Sequence, residues 1–527
     1  MILDAKLFES GHEITCDVCI LGGGVAGITL ANELRSQYND IVLLESGGNG
    51  YDQSRQDLYQ AEYVTPPFWN PHHSRMRFLG GSSNHWENNT SLFDRIDFEK
   101  RAWVDGSGWE IARSDLSPYY DSAARYCGTK TDNYSADKWA EILDKPLHTV
   151  IGGDVKTSIS KFSSPPVRFF DAYGAELKDS QSVRVVVNAN VMDAVYSQES
   201  GVVDRVLFES VPGRPASVKA KLFVMCFGGI ENARMLLHFN RHNNQLGNSG
   251  DSVGRYFMDH PIAEAAYFFP NEKKDLSLYG FNKQPGFNVA SYFDFSERFL
   301  KEKQLNNLRM PLIPGTNYLT SSAISSFHTV NKAISQGEIP DQFGKHLSNM
   351  LGDLDMLTEA ISRKALDKRI FDHADQPAGY RIQAMLEQTP QRSNRISLGT
   401  EVDAFGIPKI RIDWALSQSD KDHVWRGLDY FANFVGANDL GRVRVNQESE
   451  GRIFGDQMAF GNHHMGTTRM SRSPHDGVVD KNLLVHGAKN FYIGGSSVFP
   501  TGSHVPPTLT ITAMTLRLAD HIKSLGV

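Results

Sequence analysis

The stretch Cys16-Asp17-Val18-Cys19-Ile20-Leu21-Gly22-Gly23-Gly24-Val25-Ala26-Gly27, running on to Glu45, decides the fold. Residues 15–21 are short and apolar, the pattern of a strand buried in a parallel sheet. Gly22-x-Gly24-x-x-Gly27 follows, then a helical run, ITLANELRSQY, then a second apolar strand, Asp40-Ile41-Val42-Leu43-Leu44-Glu45, ending in an acid. This is a β-turn-α-β unit of about thirty residues, the size of the first unit of a dinucleotide-binding fold. Gly22 permits the tight turn, Gly24 lets the backbone approach a pyrophosphate, and Gly27 lets the helix pack against the strand. The helix start at Val25 and Ala26 offers unpaired N–H groups and a positive dipole end to phosphates. Glu45, with Ser46 beside it, stands 18 residues past Gly27, where a carboxylate accepts both ribose hydroxyls. A phosphate on that ribose would be repelled, which disfavours NADP.

Composition bounds the rest. A chain of 527 residues buries a large core and predicts two domains. Hydrophobic content of 40% and charged content of 22% are those of a soluble enzyme. A net charge of -7, with no basic run, argues against a nucleic-acid partner. No apolar run approaches the ~20 residues of a bilayer span, and the start, MILDAKLFESGHEIT, lacks the basic and apolar regions of a signal peptide. No membrane partner is expected. The cysteines are Cys16, Cys19, Cys127 and Cys226. Strict strand alternation would send Cys16 and Cys19 to opposite faces, so they read as packing residues, not metal ligands. His72-His73 in a Pro-rich loop lacks a third ligand, so no metal is expected. The expectation is a reduced, cytoplasmic compartment.

Along the chain, residues 46–74 read as loop, and Arg75-Met76-Arg77-Phe78-Leu79-Gly80-Gly81-Ser82-Ser83-Asn84-His85-Trp86 as a crowded turn that must approach something closely. Residues 182–210 alternate as antiparallel strands. Lys221–Gly229 is a second buried strand ending in Gly228-Gly229, followed by a helix from Ile230 to Phe239, and it should share one parallel sheet with the first unit. Residues 260–445 mix strands and helices, with an amphipathic stripe of Leu347, Met350, Leu351, Leu354, Leu357 and Ile361 expected to face a core. The end returns to dense motifs: GNHHMGTTRM, GVVD, then a strand at Asn490–Ile493, Gly494-Gly495, and a helix from about Pro507 to His521. The expected division is a discontinuous dinucleotide domain of 1–60, 75–110, 160–260 and 447–527, and a substrate domain of 61–74, 111–159 and 261–446.

In this order the motifs resemble the glucose-methanol-choline (GMC) oxidoreductase family of FAD enzymes. The resemblance is carried by GGGVAG…Glu45, GGSSNHW, FGGIENARMLL, VGRYFMDHP (Val253–Pro261), NHHMGTTRM, GVVD and GGSSVFPTG…PTLTITAMTLRLAD. It implies a discontinuous Rossmann-like FAD domain with an α+β substrate domain containing an antiparallel sheet. It implies FAD, an alcohol substrate, and oxygen or another electron acceptor, with hydride passing to flavin N5. The family's H-x-x-G-T falls on His463-His464-Met465-Gly466-Thr467, making His463 the base candidate; neutral imidazole suits proton abstraction. His464 is expected to face elsewhere.

The family's second catalytic position falls on Pro506, which has no donor. His504, two residues upstream, either swings into that place and pairs with His463 or merely caps the loop. His85 matches the histidine that in some relatives bonds covalently to the flavin; in others the contact is noncovalent. The Gly80–Ser83 turn, with Gly81, Ser83 and Asn84, should lie along the isoalloxazine, and Val191 should hold the adenine through its backbone. Gly228 faces the cofactor, Gly494 and Gly495 let the chain pass the diphosphate and ribityl, and the helix start at Pro507-Thr508 should sit by flavin N1 and O2. Asp480, Arg255 and Asp259 read as loop-orienting. The HHMGTTRM form resembles bacterial sugar-oxidising branches, so the expected substrate is a sugar, glycoside, polyol or other small alcohol. Some relatives are lyases that cleave hydroxynitriles without net redox, and that reading stays open. Phe68, Trp69 and Tyr318 are candidates for facing substrate, with core packing as the alternative for each. The number of subunits is not read from the sequence.

Overall fold

The computed structural model describes residues 1–66, 69–150, 152–242, 245–271, 274–314 and 379–526, with short pieces at 326–327, 329–330, 333, 340 and 342–352. The largest sheet has eight strands. Its centre is His12–Leu21, flanked in parallel by Ile41–Leu44 on one side and Pro215–Met225 on the other. Val183–Val187 and then Ile2–Asp4 extend it, also in parallel. Ile41, Val42, Leu43 and Leu44 are buried on both faces, which a parallel strand between helices requires. The first helix, Val25–Leu34, packs against the closing helix Thr508–Ser524.

Pro215–Met225 is long enough to serve two partners on one edge. Its first half pairs antiparallel with Val202–Glu209, and its second half pairs parallel with Phe491–Ile493. That brings the chain's middle and its end into the N-terminal sheet. Residues 182–210 are therefore not one antiparallel layer. Val183–Val187 enters the parallel sheet, and only Asn190–Ser197 and Val202–Glu209 form an antiparallel hairpin.

A second, antiparallel sheet joins Leu308–Arg309, Tyr380–Leu386, Pro261–Pro270 and Gly441–Val445. The short strand Ala459–Phe460 pairs with the start of Pro261–Pro270, through Pro261 and Ile262. A long helix, Gln418–Ala437, covers this region; Ser417 starts it by accepting the Asp420 N–H.

Three expectations are corrected. Residues 46–74 are not only loop: Asp52 caps a short helix, Gln53–Gln56, and Ala61–Val64 is a strand. Cys16 and Cys19 are not held apart by strict alternation, since Asp17 and Val18 both donate to the Asp40 carbonyl and the alternation is interrupted there; burial, then the neighbouring Cys16, pushes the Cys19 thiol up. All four cysteines are free. Of the apolar stripe, the described helix Phe343–Gly352 leaves Leu347 and Leu351 45% and 64% exposed, and Leu354, Leu357 and Ile361 lie outside the described residues, as do Phe68 and Tyr318. No helix among the described residues is long and apolar enough to cross a membrane.

Candidate active site

A cavity of about 590 Å³ opens where the two sheets meet the glycine turns. Gly22, Gly24, Val25, Ala26, Glu45 and Ser46 line it from the first unit. Gly81, Ser83 and His85 line it from the crowded turn, and Val191, Gly228, Gly495, Pro507, Thr508 and His463 from later in the chain. Gly27, Gly80, Asn84 and Gly494 stand behind this wall. A Cβ on Gly27 would sit 1.9 Å from the Gly22 carbonyl oxygen, so the helix can approach the strand only without a side chain. Gly80 donates its N–H to the Gly23 carbonyl, and the Asn84 amide donates to the Leu79 and Gly81 carbonyls, tying the two turns together.

Gly24 and Gly228 are different. An added Cβ at either would meet no protein atom within 4 Å, although both line the cavity. The helix Val25–Leu34 has no side-chain cap at its start, and neither has Thr508–Ser524. Two uncapped helix starts therefore meet one cavity, each with N–H groups left over for an anion or a carbonyl. Glu45 is held by backbone, Oε2 accepting from Gly23 and Oε1 from Gly47. These features fit FAD: open glycine backbone and free helix N–H groups for the diphosphate, and a fixed carboxylate for ribose.

Two buried arginines, Arg75 and Arg77, also reach this wall, and Glu231 bridges them. Glu231 additionally takes Arg234 at 2.8 Å. Burial alone would raise its pKa, but Arg234, Arg77 and Arg75 outweigh it and hold the carboxyl down at about 2. Sequence reasoning gave these residues no role. The partners are 154 and 156 residues apart, and nothing in a linear reading links them.

The histidines cluster on the side of the second sheet, where Ile262, Met385, Phe460 and Asn462 complete the wall. His463 is half-buried; its Nδ1 lies 2.8 Å from Nδ1 of His260. His260 is fully buried, and its Nε2 lies 3.1 Å from the Gly502 carbonyl oxygen. Asp259 Oδ1 accepts the backbone N–H of both His463 and His260, each at 2.7 Å. Burial pulls His260 down to about 4 and pushes Asp259 up to about 7. Burial, then His260 and His464, hold His463 well below the ordinary imidazole value. His464 does not face elsewhere. It lines the same cavity, and burial followed by Arg75 pulls it down to about 3. Trp69 is core: it stacks on Phe460 and Phe257, tilts against His464 and donates to Asn462.

His504 is not brought to His463. It is 1% exposed, off the cavity wall, with Nε2 2.8 Å from Asp294 Oδ2. Ser503, in a left-handed conformation with φ +57°, turns the loop inward and donates to Asp97 Oδ2. Pro506 does line the cavity, and its ring brings no hydrogen-bond donor to it. Ligand atoms of Asp94, Asp97 and His504 lie within 4.8 Å of one another, yet Lys156 sits 2.5 Å from Asp94, which makes the cluster an ion-pair network. Burial, with Glu387 and Asp94, raises Asp97 to about 7.

Residues 390–515 match the family model described as GMC oxidoreductase. The large subunit of fructose dehydrogenase from Gluconobacter japonicus is 22% identical, over 97% of this chain and 98% of that relative. A 6'''-hydroxyparomomycin C oxidase from Streptomyces lividus is 34% identical, over 27% of this chain and 25% of its own. Among solved structures, pyridoxine 4-oxidase from Mesorbium loti superposes with a TM-score of 0.56 at 16% identity, covering 96% of this chain and 99% of its own. A formate oxidase from Aspergillus oryzae RIB40, studied for FAD modification, gives a TM-score of 0.57 at 15% identity, over 98% and 99%.

Proposed function

We propose that this chain, which belongs to the GMC oxidoreductase family and takes FAD as its cofactor, oxidises an alcohol group of a sugar, glycoside, polyol or other small alcohol, with His463 as the base. The observation that carries this is an imidazole with a depressed pKa on the wall of the cavity that holds the open glycine turns. FAD, when bound, supplies the hydride acceptor. The chain's own residues do the rest. The uncapped start of Val25–Leu34 would hold the diphosphate, Glu45 the ribose, and Val191 the adenine. The uncapped start of Thr508–Ser524 offers its N–H groups and dipole to growing negative charge. Neutral His463 takes the hydroxyl proton. Ile262, Met385 and Phe460 keep water from the reacting groups, and the Asn462 amide is available to orient a hydroxyl.

The test is an anaerobic screen of sugars and alcohols against the purified yellow protein. Bleaching of the flavin absorbance supports the reading. Cleavage of a hydroxynitrile with no bleaching by any alcohol supports the lyase alternative. Return of the absorbance on admitting oxygen marks an oxidase.

Gly24→Ala tests the cradle. Its Cβ meets no protein atom, so folding stability should be close to wild type, but the methyl enters the cofactor's space. FAD affinity is expected to fall roughly tenfold to a hundredfold, the equivalent of an overpacking cost of about 1–3 kcal/mol. Unchanged FAD retention on dialysis would refute it. His85 lines the cavity at an exposed position. The expected contact is noncovalent, and acid precipitation should leave a white pellet; a yellow pellet would establish the bond.

A further inference from the structure

The His260–His463 contact constrains where protons sit. A carbonyl oxygen only accepts, so the 3.1 Å contact of His260 Nε2 with the Gly502 carbonyl places a hydrogen on Nε2. Burial keeps His260 neutral near pH 7, so it carries that one hydrogen and its Nδ1 is bare. His463 Nδ1 lies 2.8 Å from this bare nitrogen. Two lone pairs at that distance repel, so His463 Nδ1 must be the donor. Neutral His463 has then spent its only hydrogen, and Nε2 is left as a lone pair. That nitrogen has no hydrogen-bond partner among the described residues, and the ring lines the cavity.

We propose that His260 is a positioning residue that fixes the hydrogen of His463 on Nδ1 and so leaves Nε2 bare toward the substrate. This rests on the reading of His463 as the base. In the reaction the O–H and C–H bonds of the alcohol break and C=O forms; the proton goes to His463 Nε2 and the hydride to bound FAD. The resulting imidazolium keeps its Nδ1–H bonded to His260, a charge-assisted hydrogen bond. The proton does not travel on, because His260 Nε2–H ends on a peptide carbonyl that cannot take it. Asp259 holds both rings in register by accepting the two backbone N–H groups on one oxygen. His260 is off the cavity wall, so it acts through His463 and not on substrate. The Gly502 carbonyl thus sets the base's tautomer from two rings away.

Two amides separate this role from packing. In His260→Asn the side-chain oxygen falls near the place of Nδ1 and still accepts from His463. In His260→Gln the amide reaches the place of Nε2, keeps the bond to Gly502 and offers no acceptor at Nδ1. The expected result is that His260→Gln lowers kcat roughly tenfold to a hundredfold with KM unchanged, the scale of one lost hydrogen bond to a charged group, while His260→Asn stays within about threefold of wild type. Equal rates for the two variants, or a wild-type rate in His260→Gln, would overturn the proposal. A readout independent of turnover is the nitrogen NMR spectrum of histidine-labelled holoenzyme, with His463 assigned by its loss in His463→Asn. A hydrogen on His463 Nδ1 in wild type, lost to exchange between both nitrogens in His260→Gln, is expected; a bare Nδ1 in wild type refutes the idea. If no alcohol bleaches the wild-type flavin, the functional reading fails, and the tautomer is still decided by the spectrum.

Discussion

His463→Asn is expected to fold and bind FAD as wild type does, yet to have its flavin reduced by substrate roughly 10²–10⁴ times more slowly, the range for loss of a general base. Asn keeps a donor for His260 at the place of Nδ1, so the loss should fall on kcat and little on KM. The pH dependence carries the sign. Burial first, then His260 and His464, push His463 below its ordinary value of 6.5. Neutral imidazole is the active form, so reduction should rise with pH through a point below 6.5 and then stay flat. The same shift links to stability. A histidine whose folded pKa is lowered contributes stability that is present above 6.5 and is lost as pH falls through the folded value. Rapid-mixing measurement of flavin reduction from pH 4 to 8 tests the rate, and urea unfolding over the same range tests the stability. A variant that reduces as fast as wild type, or a rate that falls as pH rises from 5 to 7, would remove His463 from its role.

Glu231→Ala is expected to cost about 3–5 kcal/mol of folding stability, the scale for breaking a buried ion pair and leaving its partner uncompensated. Glu231 is 3% exposed and is shared by Arg75, Arg77 and Arg234. Arg234 keeps Asp403 at 2.7 Å, but Arg75 and Arg77 lose their only carboxylate ion pair among the described residues, and Tyr59 beneath both guanidiniums offers much less. Because Arg75 and Arg77 line the cavity, FAD retention should fall as well. Equilibrium unfolding in urea measures the cost, and a shift under about 1 kcal/mol would show that the arginines find other partners. The acid limb gives a second check. The folded pKa of Glu231, about 2, lies below its ordinary 4.5. Its contribution is therefore whole above pH 4.5 and is lost as pH falls toward 2, so the wild type should lose more stability than the variant in that window.

The glycine turn shows what is legible from a local pattern. Gly22, Gly24 and Gly27 sit at one strand–helix corner, and the close approach of Gly27 to the Gly22 carbonyl that shapes it lies within six residues. Alternation and apolar runs likewise predict strands such as Ile41–Leu44 and Phe491–Ile493, because burial on both faces leaves few residue types. Residues 182–210 mislead because local alternation says that a strand exists but not which neighbour it takes. Val183–Val187 joined the parallel sheet since the edge beyond Ile41–Leu44 was open. The same limit hid His260. It stands in VGRYFMDHP, a stretch read only as a family signature, and its partner His463 lies 203 residues away.

Residue order by itself determined that a glycine-rich corner, an acid at position 45 and a helix opening at Thr508 recur in a sequence able to bind a dinucleotide. Those features depend on backbone sterics and on helix ends, which are local. Only the folded chain decided which imidazole stands beside His463. Ser503 turns its loop inward, so His504 is taken by Asp294, and the strand from Pro261 delivers His260 instead. The reason is that a side chain's direction depends on the loop that carries it and on which buried charge it must satisfy, and both are set by contacts between segments hundreds of residues apart.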